Sequence, residues 1–176
     1  MAKALVFDAT PLIYLVRVSL GESLRRLSNP KFVPESVYEE LMRGETEGRP
    51  ESSVIRELVE DATVTVTRPR NTSLVRRLVK IAAEDPRKPL HMAEAEALAL
   101  ARELDGIMIA DDHVARAIAK MINAELHGTG YLLGKMYLEH QLSKEEAITK
   151  VGEMRRAGWR LSEDDYREIL NYLGGL

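Results

Sequence analysis

Short apolar runs alternating with helix-length stretches constrain this chain more than any other feature. Residues 3–7, Lys31-Phe32-Val33, Thr63-Val64-Thr65-Val66, 107–110 and 124–127 read as strands. β-branched residues and runs of this length favour strands over helices. Between them the pattern predicts helices over about 10–18, 22–28, 34–42, 52–60, 71–84, 91–104, 112–122 and 130–139. Strands that alternate with helices imply a parallel sheet covered on both faces. The expected fold is therefore a three-layer α/β/α arrangement around a central, mainly parallel sheet. In such sheets the working site lies outside the carboxyl ends of the strands.

The punctuation supports these divisions. Thr10 is expected as an N-cap with Pro11 at the first helical position. Asn29-Pro30 and Asp85-Pro86 stop helices, Pro34 opens one, and Gly44 to Pro50 reads as a polar loop. Ser143-Lys144-Glu145-Glu146 is a capping box. Its helix ends near Ala157-Gly158, and Ser162 begins another that stops at Gly174-Gly175. The expected organisation is an α/β unit over 1–140 and a helical pair over 141–176 packed on it.

Length and composition narrow the function. A chain of 176 residues suits one compact core and buries roughly 70% of its unfolded surface. The absence of cysteine excludes disulfides, thiolate metal sites and a cysteine nucleophile. No apolar run reaches the ~20 residues of a membrane span, and no signal peptide is visible, so a soluble, cytoplasmic protein is expected. The net charge of −3 lacks the global basic signature of many nucleic-acid binders. Locally, Arg68, Arg70, Arg76, Arg77 and Lys80 follow one another with no acid between. Such a patch can hold phosphates, or be a solvated helix face.

The acids carry the chemistry. Asp8 follows the apolar run Ala4-Leu5-Val6-Phe7, and Asp111-Asp112 follows Gly106-Ile107-Met108-Ile109-Ala110. Two strands that end in carboxylates suggest one cluster where the strand ends meet. An Asp after a strand often caps the next helix, and Asp112 could pair with Arg116 at i+4. Capping needs only one of the two. On the helix over 91–104, Ala93, Ala97, Leu100, Ala101 and Leu104 set the apolar face. Glu94 falls on its edge and should be partly buried; Glu96 should be exposed. Glu39 and Glu40 flank the arc of Val37, Tyr38, Leu41 and Met42, and helical geometry does not choose between them. His91, His113, His127 and His140 show no ligand spacing and read as structural or surface residues.

Four segments in order resemble a PIN-domain ribonuclease: Leu5-Val6-Phe7-Asp8-Ala9-Thr10-Pro11-Leu12-Ile13, Val33-Pro34-Glu35-Ser36-Val37-Tyr38-Glu39-Glu40-Leu41, Ala93-Glu94-Ala95-Glu96-Ala97-Leu98-Ala99-Leu100-Ala101 and Ile107-Met108-Ile109-Ala110-Asp111-Asp112. The resemblance covers roughly residues 3–130. The tail, with Gly128-Thr129-Gly130 and the capped helices, looks like a longer prokaryotic branch related to VapC-type toxins of toxin–antitoxin pairs. The resemblance implies an acid at four places: Asp8 with Thr10 two residues on, Glu40, Glu94, and Asp111 or Asp112. Many VapC-type members place Thr or Ser two residues before the fourth acid. Here those positions hold Ile109 and Ala110, so the choice between Asp111 and Asp112 stays open.

Oxygen ligands without His or Cys select a hard cation, Mg²⁺ or Mn²⁺. By resemblance, Asp8, Glu94 and Asp111 or Asp112 bind it, Glu40 binds through water or orients the nucleophile, and Thr10 tunes Asp8. The implied activity is metal-dependent endoribonuclease cleavage of RNA, with Arg68, Arg70, Arg76, Arg77 and Lys80 as candidate RNA contacts. The implied partners are an antitoxin protein and a second copy in a homodimer. Two alternatives remain: a catalytically degenerate PIN fold that binds RNA or protein, and a Mg²⁺-dependent phosphohydrolase of the haloacid-dehalogenase type. The second wants an Asp two residues after Asp8, where this chain has Thr10.

Overall fold

The computed structural model describes residues 2–83 and 90–176. The Asp85-Pro86 helix stop lies outside the described residues. Five strands, β1 (Leu5–Phe7), β2 (Lys31–Pro34), β3 (Thr65–Thr67), β4 (Ile107–Ile109) and β5 (Glu125–His127), form one sheet in the order β3-β2-β1-β4-β5. Every pairing is parallel, with Leu5 opposite both Lys31 and Ile107. The ten helices of the described residues are α1 (Ala9–Arg17), α2 (Gly21–Arg26), α3 (Glu35–Thr46), α4 (Pro50–Glu60), α5 (Thr72–Ala83), α6 (Met92–Glu103), α7 (His113–Met121), α8 (Thr129–Leu138), α9 (Lys144–Arg156) and α10 (Glu163–Gly175).

Strand alternation divides the core into two layers. Leu5 and Phe7 of β1 and Ile107 and Ile109 of β4 join Leu12, Leu15, Val37, Leu58, Leu132 and Val151 on one face. Val6 and Met108 point to the other face, among Leu74, Leu78, Leu98 and Ile118. Successive side chains on a strand point to opposite faces, so three residues of β1 are enough to serve both layers.

The chain steps outward from β1 to β2 to β3, then returns through α5 and α6 to β4 on the other side of β1. The direction of winding therefore reverses between β1 and β4. This leaves a crevice at their carboxyl ends, the usual ligand position in open parallel sheets. Asp8 ends β1 there, and Asp111-Asp112 lies just past the end of β4.

Several local expectations change. Helix α1 starts at Ala9, with Asp8 rather than Thr10 as its N-cap residue. Pro11 is still tolerated because first-turn amides have no intrahelical partner. Helix α3 runs through Gly44 to Thr46, and α4 begins at Pro50, so the expected polar loop shrinks to residues 47–49. Helix α6 is buried nearly all round, including Ala95, Leu98 and Ala99. It is enclosed by α3, α5, α7 and the sheet, and its many alanines permit that close approach. Glu96 is accordingly not exposed. It is partly buried and accepts a hydrogen bond from the Ser36 hydroxyl.

The C-terminal helices pack on the α/β unit rather than beside it. Helix α9 lies against α8 and α1, and α10 against α8 and α9. Gly134 makes the α8–α10 contact possible, since a Cβ there would sit 2.6 Å from the Tyr172 hydroxyl. No helix among the described residues is long and apolar enough to cross a membrane.

Candidate active site

The crevice between the ends of β1 and β4 opens into two adjoining clefts, of about 540 Å³ and about 290 Å³, that share Asp8, Thr10 and Glu94. The larger runs past Glu39, Glu40, Arg43 and His91. The smaller runs past Asp111, Asp112, Tyr14, Trp159 and Arg160. All six expected acidic and hydroxyl positions, Asp8, Thr10, Glu40, Glu94, Asp111 and Asp112, thus line one continuous site.

Asp8 is its centre. The Asp8 amide donates to the Ile109 carbonyl at 3.0 Å, stitching the end of β1 to β4. Its backbone is extended, and its carboxylate makes no capping hydrogen bond although it stands at the N-cap position. Removal from water pushes its pKa from 3.8 up to about 7; the nearby Ala9 amide opposes this, while Glu94, Glu40 and Asp111 add to it. A buried charge surrounded by like charges is a cost that the fold alone does not explain.

Glu94 stands in the first turn of α6, partly buried as its helical phase predicts. One carboxylate oxygen accepts the His91 amide at 2.8 Å. Its pKa is raised, first by burial and then by Asp112 and Glu40, against the opposing effects of the His91 amide and ring. Glu39 and Glu40 are both exposed on α3. Glu40 is the one whose charge bears on both Asp8 and Glu94.

Asp111 and Asp112 have different surroundings. Asp111 is held at both oxygens: the Thr129 amide donates to Oδ1 at 2.8 Å, and the Thr129 hydroxyl and Trp159 Nε1 donate to Oδ2 at 2.7 and 2.9 Å. Gly128 lets α8 approach this closely, since a Cβ there would lie 2.9 Å from Asp111 Oδ1. Asp112 caps α7 by accepting the Ala115 amide at 2.8 Å on one oxygen, leaving its second oxygen available. The expected Asp112–Arg116 pair does not form; Arg116 lines an adjoining pocket with His127, Tyr131 and Tyr172, which shares Asp111 with the smaller cleft.

Three residues of this site escaped sequence reasoning. Thr129 and Trp159 hold Asp111, and Arg160 brings a cation from the C-terminal helices. The available signals were a single tryptophan placed next to a helix-ending glycine and the Gly128-Thr129-Gly130 junction. Neither says which strand end it will meet.

The expected basic patch is divided. Arg68 pairs with Glu35, and Arg70 lies 3.7 Å from Glu103. Arg68 and Arg76 line a groove with Glu39, Ser36 and Met92, residues that also border the larger acidic cleft. Arg77 and Lys80 are exposed on α5 outside that groove. The histidines stay outside any ligand cluster: His113 faces Asp165, and His127 stacks on Tyr131 with ring centroids 4.3 Å apart. His91 opens α6, and His140 takes a left-handed backbone after α8.

The donor set is all oxygen, with Asp8 unmatched and free oxygens on Glu94 and Asp112, which suits a hard divalent cation. Among the described residues, no three carboxylate or histidine side chains are already closed into a metal cage. Ligand carboxylates that repel one another are expected to stand apart until a cation draws them in.

A parallel α/β fold with an acidic crevice at its winding reversal defines the class of molecule. Residues 4–175 match a family model described as a PIN domain, and the chain belongs to that family. PIN domains are generally nucleases. Among solved structures, this chain is similar to VapBC-1 from nontypeable Haemophilus influenzae, with 16% identity and a TM-score of 0.49, over 72% of this chain and 98% of that one. No curated protein matches it.

Proposed function

We propose that the protein is a Mg²⁺- or Mn²⁺-dependent ribonuclease that hydrolyses RNA phosphodiester bonds in the β1/β4 crevice. One observation carries this reading: Asp8, partly buried and without a countercharge, sits among Glu40, Glu94 and Asp111 with its pKa raised to about 7. Carboxylates that crowd together with no cation paired to Asp8 suit a bound metal ion. Asp8, Glu94 and the free oxygen of Asp112 would hold it.

When bound, the ion supplies Lewis acidity and neutralises charge on the phosphodiester. Asp111 serves the site as a fixed negative charge, oriented by Thr129 and Trp159. Thr10, beside Asp8 in both clefts, bounds the space where the phosphate enters. Glu40, exposed at the rim, orients the attacking water and accepts its proton on a carboxylate oxygen. The groove of Arg68 and Arg76 leads RNA toward the crevice, while Arg70, Arg77 and Lys80 add attraction at longer range. The same reading includes a homodimer and pairing with an antitoxin protein in the cytoplasm.

The direct test is cleavage of single-stranded RNA by purified protein with Mn²⁺. Activity abolished by Asp8→Asn is the expected result. Equal activity in that variant would remove Asp8 from the mechanism, and no activity in either would defeat the ribonuclease reading.

A further inference from the structure

We propose that Arg160, delivered by the C-terminal helices, clamps a backbone phosphate of the bound strand on the Asp112 side of the crevice. The proposal rests on the ribonuclease reading for the identity of the polyanion as RNA. Three observations support it. First, Arg160 is exposed and lines the smaller cleft together with Asp8, Thr10, Glu94 and Asp112. It forms no ion pair among the described residues. Arg155 differs, being tied to Glu163 and lying over the Tyr166 ring; Arg156 is unpaired among the described residues like Arg160 but does not line the cleft.

Second, the position of Arg160 is fixed by its neighbours. Gly158 turns the chain at φ +100°. Trp159 is then buried to 3% exposure, with its ring near Tyr14 and its Nε1 on Asp111. The Trp159 amide is bound to the Met154 carbonyl at 3.0 Å. The next residue therefore leaves a rigid anchor at the mouth of the cleft. An arginine held at its backbone loses less freedom on gripping a phosphate than one on a mobile loop.

Third, the charge arrangement favours it. Among the residues lining the two clefts, Arg43 and Arg160 are the two permanent cations: Arg43 borders the larger cleft, Arg160 the smaller, and Asp8 and Glu94 border both. A strand laid across the carboxylates meets repulsion from Asp8 and Glu94 and attraction from the arginine of each cleft. Arginine suits this task because its planar fork matches a phosphate bidentately.

The test measures binding rather than turnover. Full-length protein in an Asp8→Asn background, in EDTA, is titrated against fluorescent single-stranded RNA over a series of salt concentrations. Arg160→Ala should weaken binding about tenfold and flatten the slope of log K against log salt by about 0.7, the share of one phosphate contact on a single strand. Arg160→Lys should recover the slope but only part of the affinity. Arg156→Ala, an exposed arginine on the same extension outside the cleft, is the control for general charge. Equal effects of Arg160→Ala and Arg156→Ala would overturn the proposal, as would absence of RNA binding by the background protein. Arg160-dependent binding without Mn²⁺-dependent cleavage by the wild type would defeat the ribonuclease reading and leave the clamp standing.

Discussion

Asp8 and Glu51 are both carboxylates withdrawn from water, and their surroundings are opposite. Glu51 is 4% exposed, and Arg17 Nη2 lies 2.7 Å from its carboxylate. Burial alone would raise its pKa, but the hydrogen bond and charge of Arg17 win and lower it. Asp8 has no such partner; burial raises it to about 7, and three further acids push the same way. Lys31 is an intermediate case: its ammonium is buried and donates to the Leu27 and Asn29 carbonyls, yet burial still lowers its pKa against the opposing charge of Glu139. Glu51 and Lys31 thus both have hydrogen-bonding partners. Of the two acids, Asp8, at the winding reversal, is the one left without a cationic partner, as the proposed cation site expects.

The largest expected effect separates these two acids by function. Asp8→Asn should reduce Mn²⁺-dependent RNA cleavage at least about a hundredfold while leaving the protein folded. Glu51→Gln should leave cleavage within a few-fold and instead destabilise the fold by about 1–3 kcal/mol, because it leaves Arg17 unpaired. The Arg17 side chain is 34% exposed, which keeps that loss below the figure for a fully buried pair. Activity assays with thermal melts of both variants check the contrast; a reversed pattern would break it.

The pH dependences should also run in opposite directions. Asp8 has a raised folded pKa, so ionising it costs folding free energy. The metal-free protein should lose stability as pH rises from about 4 to about 7. Asp8→Asn removes that cost, so its melting temperature should exceed that of the wild type at about pH 8 and converge with it near pH 4. The lowered pKa of Glu51 contributes stability above the ordinary carboxylate range that is lost as pH falls. Melting curves across pH for wild type, Asp8→Asn and Glu51→Gln test both signs.

Two smaller effects concern how the site is held. Trp159→Phe keeps most of the ring but removes the Nε1 donor to Asp111, at a cost of about 1 kcal/mol by thermal melts. Thr129 still donates to both oxygens of Asp111, which limits the loss. Asp112→Asn retains an N-cap acceptor for α7, so stability should change by only a few tenths of a kcal/mol, about what separates the best N-cap residues. A change of that size accompanied by weaker cation binding would assign the free oxygen of Asp112 to the site.

Much of this was legible in the sequence. The alternation of elements fixed a parallel sheet, and strand ends placed Asp8 and Asp111-Asp112 together, because apolar runs and their stops are local signals. Helical phase placed Glu94 at a half-buried edge. The same reasoning misjudged Glu96, because α6 is enclosed on several sides and periodicity sees only one face. It left Glu39 and Glu40 equal, since both are exposed and what distinguishes them is that the charge of Glu40 bears on Asp8 and Glu94. Trp159 and Arg160 were invisible for a different reason. Their role depends on α9 and α10 folding back across more than forty residues of chain onto Asp111, a contact no local pattern encodes. What distinguishes Asp111 from Asp112, three long-range hydrogen bonds to the one against a single local cap to the other, likewise depends on Thr129 and Trp159 meeting the end of β4.

The most direct measurement is calorimetric titration of Mn²⁺ into metal-free wild type, Asp8→Asn and Glu51→Gln at about pH 7.5. An acidic crevice built for a cation predicts specific binding in wild type and Glu51→Gln, and a loss of at least about tenfold in Asp8→Asn, equivalent to about 1.4 kcal/mol. Equal Mn²⁺ affinity in all three proteins, or none in the wild type, would contradict it.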